Sequence, residues 1–414
     1  VVNAAASRPA AVIGAGLGGL TAALALQRAG WAVRVYEQAT ALGEVGAGIS
    51  ISPGACRALA SLGLGPDLLA ASLPVPDVAF AHYRTGALLA GRFDHGRPVD
   101  RGFDGARHIH RADLHAILLA AVRAADSDAV RTGQRLVRIE HDAATAQATF
   151  ADGSQVQTGL LVAADGTRSA VRRLLFDDSP PQFAGQMAYR CLVPRAAAEP
   201  FLGAGNAVVT VGPSRIFHRY RLRGGELVNV VGIARVGPGQ PGPGDCQEGG
   251  WNTPATVAEF AAEFHDFHDD VQGLIACAPP ATLIKWALTT RPPLATWQRG
   301  PVTLLGDAAH PILPFLGLGA ALAIEDGIVL ARVLAPVPDA VQAPPDVPAA
   351  LRTFQALRQD RVERVRVQTL LQGELIQAAD PDRGQLARSP SQDASLFDHD
   401  PCAVPIPLPV HVDV

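Results

Sequence analysis

Aromatic side chains are scarce in this sequence, at 5% of residues, and its five cysteines (Cys56, Cys191, Cys246, Cys277 and Cys402) stand far apart with no Cys-x-x-Cys among them. Thiols so scattered exclude a disulfide framework and a cysteine-built zinc site, and they suit a reducing cytoplasm. No run of lysine and arginine is dense enough for a nucleic-acid footprint, and the net charge of -4 argues the same way. No cluster of metal-ligating residue types is present, and no internal repeat. The apolar segment 10–26 has no strong basic stretch ahead of it, is broken by Gly14, Gly16, Gly18 and Gly19, and is too short to cross a bilayer. The expectation is a cytoplasmic protein with no membrane or nucleic-acid partner.

The 414 residues, 48% of them hydrophobic, are enough for two cored domains or one large interrupted one. AAVIGAGLGGLTAALALQRAGWAVRVYEQ reads as strand, glycine turn, helix and second strand, a βαβ opening. ISPGACRALASLGLGPDLLA and VAEFAAEFHDFHDDVQGLIACA each read as a helix, and 74–97 alternates loosely as strands. GLLVAADG and VTLLGDAAH are buried strands ending in turns. AYRCLV, NAVVTVG and ELVNVVGIA suggest a second, antiparallel sheet. Residues 237–254 read as a loop, 336–348 as a proline-rich linker, 351–377 as a long amphipathic helix, and the tail beyond Ala378 as loosely held. The fold class expected is α/β: a discontinuous Rossmann-like domain (1–73, 98–180 and 285–335), an interleaved, mainly antiparallel β-sheet domain (74–97 and 181–284), and a C-terminal linker, helix and tail (336–414).

Three stretches carry chemistry. In GAGLGG, Gly14 permits a tight turn, Gly16 lets a pyrophosphate approach the backbone, and Gly19 lets helix and strand pack closely. Ala15 lies within that turn, and the helix N-terminus supplies amides and partial positive charge. Glu37, ending the next strand, can bind both hydroxyls of an adenosine ribose. ADGTRSAVR places Asp165 and Gly166 after a buried strand; an ordinary helix-starting turn is the plainer reading of it. GDAAHPILPFLGLGAALAIEDG puts Asp307 at the end of an apolar strand, followed by a glycine-rich approach to a helix. Asp307 can accept hydrogen bonds from a polyol, while Gly317 and Gly319 let a flat ligand lie against backbone. The helix beginning near Ala320 aims its positive end at that ligand. His310 reads either as a loop-orienting residue or as a chemical one.

Three such motifs in this order resemble the FAD-dependent class A aromatic hydroxylases, in particular the salicylate, 3-hydroxybenzoate 6- and 6-hydroxynicotinate 3-monooxygenase group. The likeness also draws on GAGISISPGACRAL, HRADL and RGGELVNVV, and covers nearly the whole chain. It implies that Gly14, Ala15, Gly16, Gly19 and Glu37 hold the ADP half of FAD and that Arg111 contacts the cofactor. It implies further that Asp165 and Gly166 serve FAD and the nicotinamide donor, that Asp307 binds the ribityl chain, and that Gly319 and Ala320 face the flavin ring. Pro314 matches a proline whose carbonyl lies beside the ring, and Tyr220 a substrate-pocket tyrosine; with His310 these form the implied catalytic set. NADH or NADPH would be the transient electron donor and dioxygen the co-substrate, with oxygen delivered from the flavin C4a carbon to a small aromatic ring.

Where relatives often carry His-x-Val-His-Tyr-Pro this chain has Ile216, Phe217, His218, Arg219, Tyr220 and Arg221, and Leu318 stands in place of a glutamine. The pocket is correspondingly more apolar. Arg190, Arg219 and Arg221 are all candidates for a substrate carboxylate. A flavoprotein oxidase without hydroxylation, or a hydroxylase of a larger apolar phenolic, are the alternatives. A monomer or a homodimer is expected.

Overall fold

The computed structural model describes residues 8–43, 47–75, 77–89, 93–94, 102–202, 207–237, 253–335, 346–381 and 393–407. Cys246, nearly all of the expected loop at 237–254 and most of the linker at 336–348 lie outside them.

Apolar runs that end in turns build the first sheet. Its six strands run in the order Gln298–Arg299, Val302–Leu304, Leu161–Ala163, Arg8–Ile13, Trp31–Tyr36 and Val130–Arg131. All pair in parallel except the edge strand Gln298–Arg299. Val12, Val35, Val162 and Leu304 are wholly buried, as strands covered on both faces require. The helix Leu17–Arg28 packs between Arg111–Ala125 and Gly319–Val333. Ile13, Ala163 and Leu304 are neighbours in register, so the three motif turns leave the same edge of three adjacent strands. That edge, where chain order reverses, is where parallel α/β sheets bind ligands.

The second sheet has eight strands, in the order Thr253–Pro254, Ile284–Thr290, Gln182–Pro194, Leu227–Arg235, Arg215–Leu222, Ala207–Gly212, Asp77–His82 and Phe93–Asp94. It is antiparallel apart from one parallel pair, Ala207–Gly212 with Asp77–His82. Alternation gives it two faces. Phe217, Val228 and Val230 face outward onto Phe260, Phe264 and Val271. Ile216, Ile233, Ala188 and Val211 face inward, toward Leu313, Phe315 and Ile376. A small sheet of Gly48–Ile51, Arg107–His110 and Ser72–Pro74 lies between the two larger ones.

Four expectations are corrected. The return to the first domain falls after Thr290 and not at 285, because Ile284–Thr290 pairs with Gln182–Pro194. ISPGACRALASLGLGPDLLA forms two helices, Pro53–Ser61 and Gly65–Ala71, parted where Gly63 turns to a φ of +78°. The amphipathic helix near 260 is also two, Val257–Glu263 and Asp269–Ala276, and the His268 side chain accepts from the Asp270 amide to start the second. The tail is docked over 393–407: Leu396 is fully buried, and Arg361, Arg57 and Arg332 donate to the carbonyls of Leu396, Asp398 and Pro401. The long helix spans Val347–Ile376, begins at an Asp346 cap, and buries Leu351 and Phe354 against the first domain.

Candidate functional site

The glycine turn divides its labour by position. Gly14 holds a φ of +100°, which a side chain rarely tolerates, and its amide donates to the Tyr36 carbonyl at 2.8 Å. A Cβ on Gly19 would lie 2.0 Å from the Gly14 carbonyl oxygen, so Gly19 is what lets the helix sit against the turn. Gly16 is different: its φ is an ordinary -72°, and a Cβ there would meet nothing within 4 Å. Nothing in the fold demands that glycine, but a ligand against the backbone would. Gly16 is also an N-cap with no side-chain cap, which leaves the amides of the first turn of Leu17–Arg28 to a ligand. Glu37 accepts from the amides of Ala15 (2.8 Å) and Ala39 (2.9 Å), and His115 reaches the Ala15 carbonyl at 2.8 Å. The carboxylate is thereby aimed along the turn with lone pairs left for hydroxyl donors.

The second turn serves structure through Asp165 and space through Gly166. Asp165 accepts from the Ser169 hydroxyl (2.5 Å) and from the amides of Ala170 (2.7 Å) and Val171 (3.2 Å), capping Ala170–Leu175. Burial raises its carboxyl above the usual range against the pull of those bonds. Gly166, at a φ of +76°, has open space where a Cβ would point.

Asp307 is accessible to solvent and yet ringed by protein atoms, as a carboxylate lining a deep cleft must be. Burial raises its carboxyl, opposed by His310, Arg111 and a hydrogen bond with Thr167. Arg111 starts the helix Arg111–Ala125, and its amide donates to the Ala47 carbonyl at 2.7 Å. Pro314 is exposed on the turn that follows Asp307. Gly317 closes that turn at a φ of +66°, and a Cβ there would touch Ser50 at 3.5 Å. The helix Gly319–Val333 has no side-chain cap, so the amides of Gly319, Ala320 and Ala321 end at the cleft; a Cβ on Gly319 would make only an ordinary 3.8 Å contact. Protein atoms thus leave the Cβ positions of Gly16 and Gly166 open and that of Gly319 uncrowded.

His310, beside Asp307, is held from the other side by the protein interior. Its Nε2 is bonded to Asp326 at 2.7 Å, its ring lies 5.0 Å from that of Trp297, and it is 9% exposed. Asp326 also accepts from the Gly306 amide and from Arg358, while the neighbouring Glu325 accepts from Arg358 and Arg361. Burial works against ionising both carboxylates, but His310 and Arg358 outweigh it at Asp326, which titrates well below the usual range, and Arg358 and Arg361 outweigh it at Glu325, which titrates below it. His310 thus anchors the Asp307 turn to a buried ion network whose partners come from the long helix.

Facing the cleft is the inner face of the eight-stranded sheet, whose register sets out rows. Ala188, Ile233, Ile216 and Val211 make one; Arg190, Val231, His218 and Val209 the next; Leu192, Asn229, Tyr220 and Ala207 the third. The first row is hydrocarbon throughout, Ile216 included. The others bring polar groups together. The Tyr220 ring is tilted against that of His108, with centroids 4.0 Å apart, and lies 4.8 Å from that of His218. A Cβ on Gly48 would come within 2.6 Å of the Tyr220 hydroxyl, and the Gly48 amide donates to Asn229 Oδ1 at 2.8 Å. Burial raises the Tyr220 hydroxyl, opposed by Arg190. It lowers His218 to about 4, with help from the Arg219 charge, and holds His108 well below its usual value, so both imidazoles are neutral at pH 7. His108, Asn229 and Gly48 were not singled out from the sequence. The alternation in RHIH and LVNVV puts them on one face, but only the pairing of distant strands brings those faces together.

The chain matches the FAD binding domain family over residues 8–190 and 245–368. It is 34% identical to a 6-hydroxynicotinate 3-monooxygenase of Bordetella bronchiseptica, over 86% of this chain and 88% of that one. It is 32% identical to a 3-hydroxybenzoate 6-hydroxylase of Polaromonas naphthalenivorans, over 91% and 90%. Among solved structures it is similar to Klebsiella pneumoniae HpxO in complex with FAD and uric acid, with a TM-score of 0.77 and 27% identity over 95% of this chain and 93% of that one.

Proposed function

This chain belongs to the FAD-dependent class A aromatic hydroxylases, and on that footing we propose how its residues divide the work and what ring it takes. The enzyme is an FAD-dependent aromatic monooxygenase, driven by NAD(P)H and using dioxygen. FAD, when bound, passes electrons from the nicotinamide and activates oxygen, so the protein's task is to hold, orient and dry the reacting groups.

Gly14, Ala15, Gly16 and Gly19 give the ADP half its backbone surface, and Glu37 takes the ribose hydroxyls. Asp307 takes the ribityl chain, with Arg111 offsetting the cofactor's negative charge. Gly319 and Ala320 present uncapped amides to the flavin ring, where they stabilise negative charge that develops on reduction. Asp165 acts on the cofactor through the turn it holds, leaving Gly166 as the open backbone position beside it. Pro314, exposed on the turn after Asp307, would lie beside the ring. The apolar row around Ile216 and Leu313 excludes water.

Tyr220 keeps its hydroxyl proton at neutral pH, so it works as a donor that orients a substrate oxygen. It releases that proton only as it accepts another. The substrate we assign is a small ring activated by hydroxyl or amino substitution: a phenol, hydroxybenzoate or hydroxypyridine. The observation that carries this reading is the placement of a buried tyrosine–histidine cluster opposite the edge where the three motif turns converge. A reducing compartment, the cytoplasm, fits the scattered thiols; among the described residues no helix is long and apolar enough to cross a membrane.

The test is titration of the FAD-loaded protein with such rings while the visible flavin spectrum is recorded. At least one class should perturb it saturably, and Tyr220→Phe should weaken binding or turnover of that class about tenfold or more, the scale of a lost buried hydrogen bond. A spectrum indifferent to every ring, in a protein that retains FAD, would contradict the reading.

A further inference from the structure

The cleft assigned to FAD is walled by elements far apart in sequence. On one side is the turn from Gly306 to His310 that carries Asp307. A single oxygen of the wholly buried Asp326, Oδ2, accepts from the Gly306 amide at 2.9 Å and from His310 Nε2 at 2.7 Å. One atom therefore holds both ends of that turn. On the other side is the strand Gly48–Ile51, whose Ser50 is the residue that a Cβ on Gly317 would touch. This strand runs straight into the helix Pro53–Ser61, which Ser52 caps.

The docked tail spans both sides. Arg358 donates to Asp326 through Nε at 2.7 Å, and its Nη1 donates to His399 Nε2 at 3.4 Å. Burial lowers the His399 ring to about 4, so it is neutral at pH 7 and can accept. The backbone of the same residue lies against the first turn of Pro53–Ser61: a Cβ on Gly54 would come within 1.7 Å of the His399 carbonyl oxygen. Arg57, one turn on, donates to the Asp398 carbonyl at 3.0 Å and to the Asp400 carboxylate at 3.3 Å. His399 thus sits between the ion network that fixes the Asp307 turn and the helix that follows the Ser50 strand.

We propose that residues 393–407 are a strap that sets how firmly FAD is held, with His399 and Arg57 as its positioning residues. By tying Pro53–Ser61 to the Asp326 network, the strap fixes the strand Gly48–Ile51 against the Asp307 turn. The proposal rests on the assignment of FAD to this cleft and adds a hold made by a segment that the cofactor motifs do not include. A ligand gripped by two elements leaves when either yields, so the effect falls on dissociation. Linkage makes it reciprocal: a tail that tightens FAD binding is itself steadied by FAD, and by the same factor.

The test is hydrogen exchange of the amides of 394–403 in the FAD-loaded and FAD-free protein, beside the rate of FAD release read from flavin fluorescence. In the wild type FAD should slow exchange in this segment about tenfold, within the usual range of coupling between sites. A tail that serves structure alone would exchange equally in both states. Gly54→Ala puts a methyl where the His399 carbonyl lies, and Arg57→Gln removes two holds on the tail. Both should speed exchange of the segment and the release of FAD, Gly54→Ala about tenfold or more and Arg57→Gln less, with the effect of FAD on exchange shrinking in step. Exchange indifferent to FAD in the wild type, or a tail loosened by either variant with FAD release unchanged, overturns the strap and leaves the cofactor assignment standing. Exchange that neither variant alters also overturns it, since these contacts would then not hold the tail. A wild type that binds no FAD overturns both.

Discussion

Gly16 and Gly19 are two glycines of one motif, and they separate fold from ligand. Gly19→Ala would drive a Cβ into the Gly14 carbonyl oxygen, backbone against backbone, and should destabilise the protein by about 1–3 kcal/mol or more. Gly16→Ala adds a methyl to open space at an ordinary φ, so the melting temperature of the FAD-free protein should hold within the scatter of a surface change, roughly 0.5 kcal/mol. FAD retention after gel filtration should nonetheless fall, and Asp307→Ala should lower it too. Unchanged flavin content in both variants would remove those residues from the cofactor site. The glycines were legible because their spacing states its own geometry. His310 was not, because its partner Asp326 comes from a helix whose docking no local pattern announces. Burial also sets an acid limit at this scale. His218 has a folded value of about 4 against an ordinary value near 6.5, so its contribution to stability is complete above about pH 6.5 and is lost as the pH falls toward 4. Melting temperature should drop between pH 7 and pH 5, and His218→Phe should flatten that slope; an equal slope would contradict the assignment.

At the scale of elements, the helices Gly319–Val333 and Val347–Ile376 are joined by Arg358 and Arg361 on Glu325 and Asp326, with Arg358 and both acids wholly buried. Removing one partner leaves charge uncompensated, so Arg358→Met should cost about 3–5 kcal/mol, read by denaturant unfolding. Both carboxylates are depressed in the fold, so what they contribute is complete above about pH 4.5 and is lost as the pH falls below it, under the histidine limit. The AIEDG and long-helix sequences revealed two helices but not this join, since a buried carboxylate reads like any other acid until its arginine is placed. The strands of the second sheet were legible as strands. Their parity became informative only with the register, which is what sends Arg219 outward and Arg190 inward. The single helices expected near 60 and 265 failed for a local reason: Gly63 adopts a positive φ, and His268 caps a new start.

Across the whole molecule the long helix braces both sheets. Near its beginning, Gln355 accepts from the Trp297 amide and donates to the Ala295 carbonyl on the first domain. At its end, Arg235 donates to Glu374 and Gln377, and Gln377 donates to Gln186, on the second. Between them Gly373 lies under Phe315, where a Cβ would come within 2.6 Å of the ring. Gly373→Val should therefore push Phe315 and the turn carrying Pro314, loosening the apolar cluster that Phe315 shares with Leu313 and Ile376. More of the NAD(P)H consumed should then end as hydrogen peroxide, with FAD content unchanged; unaltered coupling would mean the turn does not feel the helix. The interleaving of two domains was legible from the order of the motifs. The docked tail was not, because its hold is made by carbonyls and by arginines far away in sequence.

The central claim, that this chain hydroxylates an aromatic ring, is tested most directly by NADH and NADPH oxidation. The FAD-loaded protein would be assayed across phenols, hydroxybenzoates, hydroxypyridines and larger phenolics, with hydroxylated product and hydrogen peroxide both quantified. The account predicts oxidation stimulated by at least one of these rings, with product formed in near equivalence to the NAD(P)H consumed. Oxidation that yields only peroxide with every ring would contradict it and make the protein an oxidase.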